Sequence, residues 1–144
     1  MFEDDVRTVL TKDTISLVDG LCVPKVDRVE DYRIISETLY NVEVENDLSF
    51  STLKVIPQIE STQSMINMKE IFEYDLKHGG KRIVAAAFGG DDFTADFGVF
   101  RSDDDRELDF ARKMFALTCH SFGITSIDTP YVQFKNQDGL KKEL

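Results

Sequence analysis

The sequence is poor in several residue types that mark particular protein classes. Its 144 residues include no tryptophan, three prolines and two cysteines. Cys22 and Cys119 are far apart, and their spacing matches neither a disulfide framework nor a zinc site. No apolar run approaches the ~20 residues that a membrane span requires. We therefore expect a soluble protein with no membrane partner.

Positive charge is also scarce. Lys and Arg number 17 against 27 Asp and Glu, which gives a formal net charge of −10, and no basic block stands out. Because nucleic acids and anionic membranes are bound by clustered positive charge, we expect neither as a partner. The first residues are acidic where a targeting peptide would be basic. We expect a cytoplasmic protein, or a protein of the mitochondrial matrix if a targeting segment precedes the chain.

Four short apolar runs are typical of buried strands. They are Gly20 to Val26, Leu53 to Ile59, Arg82 to Phe88, and Ile124 to Tyr131. Segments with helical periodicity lie between them: Val29 to Tyr40, Met65 to Leu76, and a third helix that begins at Ser102 to Asp105. At that third start a serine can cap the helix and carboxylates suit its positive end. The polar stretch Asn41 to Phe50 is predicted to be a loop.

Alternating strands and helices predict an α/β fold with a parallel sheet and right-handed crossovers. The lack of a GxGxxG turn argues against a dinucleotide-binding fold. We interpret residues 1–144 as one domain, an incomplete (β/α)8 TIM barrel of about four βα units. A closed barrel needs eight units and ~250 residues. Half a barrel would expose strand edges, which invite pairing with another chain.

Two acidic residues lie just beyond the ends of predicted strands. Glu60 follows the run that ends at Ile59, and Asp92 follows the run that ends at Phe88. Because the carboxyl ends of neighbouring parallel strands meet at one edge of a sheet, we expect both carboxylates to lie close together. The glycines Gly89 and Gly90 permit close approach of the backbone to a ligand. Two carboxylates, with further positions left for water or substrate oxygens, are typical of a magnesium site.

The residues alone leave an alternative open. Acidic residues at these positions are equally typical of helix starts, where they face the positive end of the helix dipole. Glu60 and Asp92 would then cap the following helices and bind no ion. Arg101 has two interpretations as well, because it could contact an anionic substrate or form a surface ion pair.

Four longer motifs resemble one known family. They are GLCVPKV (Gly20 to Val26), VIPQIES (Val55 to Ser61), AFGGDDFTADFG (Ala87 to Gly98) and IDTPYVQF (Ile127 to Phe134). With these motifs in this order, and over about Val6 to Leu140, the sequence resembles the HpcH/HpaI aldolase and citrate lyase beta-subunit family. The similarity is greatest to the citrate lyase beta-like members.

The resemblance implies a (β/α)8 TIM barrel in which the four predicted strands correspond to strands four to seven. It implies Mg2+ as the cofactor, with Glu60 and Asp92 as metal ligands and Ile127 and Asp128 at the substrate. The implied activity is that of a magnesium-dependent carbon-carbon lyase, which acts on an acyl-CoA thioester of the citramalyl-CoA, malyl-CoA or citryl type and releases a 2-oxo acid. The implied partners are these small molecules and further copies of the chain, in a trimer or hexamer.

Part of the family's pattern has no counterpart in the chain. An arginine of the third strand, basic residues near the CoA and an acidic residue of the C-terminal region are not matched, and no catalytic residue, including the general base, is assigned. We therefore keep an alternative function: a catalytically inactive truncated fragment, or a module that assembles with another fragment of such a barrel.

Overall fold

Parallel strands and helices alternate in the computed structural model, which describes residues 2–102, 104–133 and 135–143. The strands are β1 (Gly20–Val23), β2 (Lys54–Ile59), β3 (Ala85–Phe88) and β4 (Thr125–Ile127). The helices are α1 (Phe2–Val9), α2 (Val29–Glu45), α3 (Thr62–Tyr74), α4 (Gly90–Phe97), α5 (Asp109–Ser121) and α6 (Gln137–Glu143). Short 3-10 turns lie at Ile15–Leu17 and Arg106–Leu108, and a π-helical turn lies at Asp75–Gly79. No helix within the described ranges is long and apolar enough to cross a membrane.

The four strands form one parallel sheet in the order β1-β2-β3-β4. Each strand pairs with the next one along the chain, and the helices form the connections. The register places Gln58 beside Ala87, and Ala87 beside Ile127. The carboxyl ends of β2, β3 and β4 therefore meet at one edge of the sheet. The prediction of an α/β fold with a parallel sheet is confirmed.

One face of the sheet is buried beneath the helices. Along β2 the side chains alternate, so that Val55 and Ile59 are fully buried while Ile56 and Gln58 are half-buried. This pattern follows from the two-residue period of a strand. The buried side chains form one cluster with residues of α2 and α3, among them Leu39, Met68, Ile71 and Phe72.

The opposite face is more open. Cys22 of β1 and Ile127 of β4 lie on this face and are exposed, and the other two residues of β4 are exposed as well. These two strands are the edges of the sheet, and in the described part of the chain no further strand pairs with either of them. Open edges next to an exposed face can pair with a further segment of protein.

The predicted strands are all present but shorter, and the predicted loop from Asn41 to Phe50 is wrong in its first half. Helix α2 continues to Glu45. Polar side chains suggested solvent exposure there, but Glu43 is completely buried because it pairs with Arg82. A buried partner far along the chain cannot be identified from local composition.

The predicted start of the third helix is also wrong. Helix α5 begins at Asp109, after the 3-10 turn, and Asp103 lies outside the described residues. The Ser102 hydroxyl donates to Glu107 Oε2 at 2.6 Å and does not cap α5. The predictions also omitted the short helices α1, α4 and α6.

A buried ion pair joins α2 to the amino end of the sheet. Arg82 donates from both terminal nitrogens to the two carboxylate oxygens of Glu43, at 2.6 and 2.7 Å. The same carboxylate accepts the backbone N–H groups of Leu53, at 2.8 Å, and Ser51, at 3.0 Å. The Arg82 guanidinium also lies 5.1 Å from the centre of the Phe50 ring. Helix α2, the loop before β2 and the segment before β3 are thereby tied together.

Asp75 provides a second polar anchor at this end. Its carboxylate accepts the backbone N–H groups of Arg82, at 2.9 Å, and Ile83, at 3.0 Å, and the Tyr32 hydroxyl at 2.6 Å. Burial, together with the neighbouring negative charge of Asp75, raises the pKa of Tyr32. Tyr32 therefore stays a neutral hydrogen-bond donor. The π-helical turn that contains Asp75 is followed by Gly80, whose φ of +85° favours glycine.

We expect Glu43→Gln to lower the free energy of unfolding by about 3–5 kcal/mol, because it leaves the buried Arg82 charge without its partner. Urea denaturation measures the change. Glu37→Gln on the same helix is the control, since Glu37 forms an exposed pair with Arg33 and its loss should change little. Equal effects of the two variants would contradict a structural role for the buried pair.

The same carboxylate should shape the dependence of stability on acid. Burial acts to raise the pKa of Glu43, but hydrogen bonds from Arg82, Leu53 and Ser51 outweigh it and lower this pKa below the ordinary value of 4.5. Stabilisation from a lowered pKa is present above the unfolded-state value and is lost as the pH falls through the folded-state value. We expect the unfolding free energy of the wild type to decrease more steeply below pH 4.5 than that of Glu43→Gln. Urea denaturation at a series of acidic pH values measures the unfolding free energy of both proteins. Parallel dependence on pH for the wild type and Glu43→Gln would contradict this expectation.

Candidate active site

A pocket of about 410 Å3 opens at the carboxyl edge of the sheet. The end of β2, the β3–α4 junction and the segment after β4 form its walls. All four residues predicted to bind metal or substrate line it: Glu60, Asp92, Ile127 and Asp128. The strand order brings them to the same edge, because β2, β3 and β4 are consecutive in the sheet.

Glu60 is held from two sides. Its side chain is buried, with the residue 6% exposed, and Oε1 accepts the backbone N–H of Lys25 at 2.9 Å. Lys25 makes this contact from a left-handed backbone conformation, with φ of +54°. On the other side a Cβ atom at Gly89 would lie 2.5 Å from Glu60 Cβ and 2.9 Å from Oε2. Only glycine therefore fits at position 89 beside this carboxylate.

Glu60 does not cap the helix that follows it. The cap of α3 is Ser61, whose hydroxyl oxygen accepts the backbone N–H of Ser64 at 2.9 Å. The Ser61 hydroxyl also donates to Asp27 Oδ1 at 2.5 Å, and this bond joins the β1–α2 loop to the start of α3. The alternative that Glu60 serves as a helix cap thus has no support in the contacts of its side chain.

Asp92 is the third residue of α4, which starts immediately after β3. A carboxylate in the first turn suits the positive helix end. Asp92 is exposed, and its carboxylate has no hydrogen-bond or ion-pair partner among the residues that the structure describes. Its oxygens are therefore available to a ligand.

The neighbouring Asp91 is engaged differently. Its carboxylate lies 2.5 Å from Arg101, which also donates to Asp105 at 2.8 and 3.0 Å. Hydrogen bonds to Asp105 and Asp91, opposed by partial burial, raise the pKa of Arg101. Of the two interpretations of Arg101, the ion pair is the one the structure contains.

The end of β4 contributes Ile127 and Asp128. Ile127 is 43% exposed on the open face, beside Ala87 in the register. Both Asp128 oxygens accept hydrogen bonds from Arg112 Nε of α5, at 3.0 Å each. Asp128 lines the pocket, but its carboxylate already neutralises an arginine.

Two pocket residues were missed by the sequence predictions. Gln58 lies two residues before Glu60, and the period of the strand places it on the half-buried face. Gln58 and Glu60 are two residues apart in an otherwise apolar segment, and this spacing could have predicted that both side chains lie on the same face. Thr129 is buried and accepts the backbone N–H of Gly90 at 3.1 Å. Nothing in the local sequence indicates that contact, since 39 residues separate the two partners.

The donor set fits a hard cation that keeps part of its own hydration. Glu60 and Asp92 offer carboxylate oxygens only, and across the described residues no group of three or more His, Cys, Asp or Glu side chains is arranged to hold a metal ion. Magnesium is commonly bound in this way, by one or two carboxylates with the remaining positions left to water or substrate oxygens.

Comparisons with known proteins agree with this architecture. A family model described as HpcH/HpaI aldolase/citrate lyase matches residues 1–143. The mitochondrial citramalyl-CoA lyase of Mus musculus is 30% identical over 130 residues, which are 88% of this chain and 38% of that protein. The chain thus spans about two fifths of the length of the curated relatives it matches.

Solved structures show the same fold. Haloferax volcanii malate synthase superimposes with a TM-score of 0.86 at 18% identity, over 97% of this chain and 42% of that one. The CitE protein of Mycobacterium tuberculosis, solved with magnesium and pyruvate, gives a TM-score of 0.65 at 18% identity, over 87% and 46% of the two chains. Because the family model covers almost every residue, the chain belongs to the HpcH/HpaI aldolase/citrate lyase family.

Proposed function

We propose that the chain forms the metal-binding part of a magnesium-dependent carbon-carbon lyase. The substrate would be an acyl-CoA thioester of the citramalyl-CoA, malyl-CoA or citryl type, and a 2-oxo acid would be released. The observation that carries the proposal is the single pocket that Glu60 and Asp92 share with Ile127 and Asp128. Further support comes from the citramalyl-CoA lyase of the mouse and from the CitE structure with magnesium and pyruvate, which is a 2-oxo acid.

Glu60 and Asp92 would hold the ion. Glu60 is pre-oriented by the Lys25 N–H and by its contact with Gly89, and Asp92 brings a carboxylate with no competing partner in the described part of the chain. When bound, magnesium would stabilise the negative charge on the substrate's hydroxyl oxygen as its proton leaves; this oxygen becomes the carbonyl oxygen of the 2-oxo acid. Two fixed carboxylates leave other positions of the ion open to the substrate.

Cleavage breaks the bond between the hydroxyl-bearing carbon and the α carbon of the thioester. The hydroxyl proton passes to a base, and the hydroxyl oxygen becomes the carbonyl oxygen of the 2-oxo acid. The bonding electrons pass to the thioester enolate, which is protonated to the shortened acyl-CoA. Gln58 lines the pocket wall; its Nε2 donates to Cys22 Sγ at 3.4 Å, and the second N–H of this amide can orient a substrate oxygen. We assign no residue to the role of base.

We further propose that the four strands correspond to strands four to seven of a (β/α)8 TIM barrel, and that the working enzyme is a homo-oligomer, a trimer or a hexamer. Four consecutive parallel strands, with no further strand paired to β1 or β4 among the described residues, support the barrel assignment. For the location we propose the cytoplasm or the mitochondrial matrix, and the mitochondrial relative in the mouse supports the second.

We expect Glu60→Gln and Asp92→Asn each to weaken magnesium binding by about tenfold or more. Loss of a residue that merely supports a metal ligand typically lowers affinity about 10- to 100-fold, and these residues are the ligands themselves. Isothermal titration calorimetry with MgCl2 measures the affinity. Asp109→Asn is the matched control, because Asp109 also lies in the first turn of a helix but pairs with Lys113 at the surface. If Glu60→Gln and Asp92→Asn both bind magnesium with the affinity of the wild type, these residues are not the metal ligands.

The second candidate function is that of an inactive fragment or an assembly module of such a barrel. The exposed residues of β4 and the two open sheet edges favour it. It predicts a chain that associates and does not cleave acyl-CoA.

Sedimentation velocity and a lyase assay separate the two functions. For the lyase we expect release of a 2-oxo acid from citramalyl-CoA or malyl-CoA, abolished by EDTA and restored by excess magnesium. Cleavage by a chain that sediments as a monomer excludes the assembly module. Association without cleavage of either thioester favours it.

A further inference from the structure

We infer that Thr129 is a positioning residue that fixes the start of α4 and thereby sets the distance and direction of Asp92 relative to Glu60. The inference rests on the proposed magnesium site and names a determinant of its geometry that lies outside the two ligands. In this arrangement the Thr129 hydroxyl oxygen accepts a hydrogen bond from the backbone of α4.

The contact lies at the first residue of the helix. Gly90 N–H donates to Thr129 Oγ1 at 3.1 Å, and both residues are buried, with Thr129 8% exposed. A Cβ atom at Gly90 would lie 2.8 Å from the same oxygen, so the hydroxyl packs directly against the helix start. A buried N–H without an acceptor is unfavourable, and this bond therefore selects one position for the amino end of α4.

Thr129 is itself fixed from the other direction. Its backbone N–H donates to Asp128 Oδ1 at 2.8 Å, and Asp128 is paired with Arg112 of α5. These hydrogen bonds connect α5, through Asp128 and Thr129, to Gly90 at the start of α4. Asp128 thus has a structural task at the pocket whether or not it also contacts substrate.

The opposite side of the helix start is attached to the neighbouring strand. Gly89 N–H donates to Ile59 O at 3.0 Å, directly before Glu60. The start of α4 therefore lies between the end of β2 and the segment after β4. Asp92 follows two residues after Gly90, and its carboxylate has no other partner within the described ranges. The placement of its oxygens depends on the placement of the helix.

The choice of metal reports on this geometry. Magnesium requires near-ideal octahedral coordination at about 2.0–2.1 Å, whereas calcium accepts irregular sites at about 2.3–2.6 Å. A helix start that has lost its anchor would move Asp92 by a small amount, which penalises magnesium more than calcium. A variant that merely lowered the folded fraction would reduce the binding of both ions equally.

The test uses the full chain and calorimetric titration with MgCl2 and, separately, CaCl2. Thr129→Val keeps the shape but removes the acceptor, and we expect it to weaken magnesium binding about tenfold and calcium binding less than about threefold. Thr129→Ser retains the hydroxyl and should bind both ions like the wild type. Thr118→Val is the matched control, because the Thr118 hydroxyl bonds within α5 to Met114 O. It should leave both affinities unchanged.

Each outcome decides the inference. Unchanged magnesium affinity in Thr129→Val, or an equal loss of affinity for both ions, overturns the inference. The proposed function still stands in either case, provided that the wild type binds magnesium. A wild type that binds no magnesium overturns both. If Thr129→Val does not fold, Thr129→Ala takes its place, with the same expected losses of affinity. A loss of magnesium affinity above about threefold in the folded Thr129→Ser variant also overturns the inference.

Discussion

Glu43 and Arg82 form a buried ion pair at the amino end of the sheet, with two direct nitrogen–oxygen contacts. Neither charge is accessible to solvent, so each is tolerable only in the presence of the other. The pair holds the last turn of α2, orders the loop before β2 through Leu53, and brings the segment before β3 against both. Buried pairs often add little net stability, and we interpret this one as specifying which chain segments meet.

The carboxyl end of the sheet is organised by a different kind of contact. There, backbone N–H groups meet side-chain oxygens: Lys25 donates to Glu60, and Gly90 donates to Thr129. Glycine at position 89 allows the β3–α4 junction to approach Glu60 more closely than any side chain would permit. One end of the sheet thus locks the helices and strands together, and the other presents two carboxylates in one pocket. In TIM barrels the amino end commonly serves stability, and the active site lies at the carboxyl end.

Several features could be predicted from local pattern because they depend on short-range chemistry. Apolar runs predicted the four strands of the sheet. Glu60 and Asp92 were selected because each follows an apolar run, and parallel pairing of consecutive strands brought them into the same pocket. Predictions failed where a distant partner decides the outcome. Polar residues around Glu43 predicted a solvated loop, but Glu43 is buried in an ion pair with Arg82. Ser102 was predicted to cap a helix, but its hydroxyl donates to Glu107.

The sequence by itself determined the α/β class, the order of the strands, the acidic strand ends and the family, because these follow from periodicity and from motifs contiguous along the chain. Only the tertiary structure decided which carboxylates remain available. Asp91 and Asp128 are neutralised by Arg101 and Arg112, whereas Asp92 is not paired within the described residues. The three aspartates are the same residue type in the sequence. Their roles differ because a charge is engaged or available according to what the fold places within hydrogen-bond distance of it.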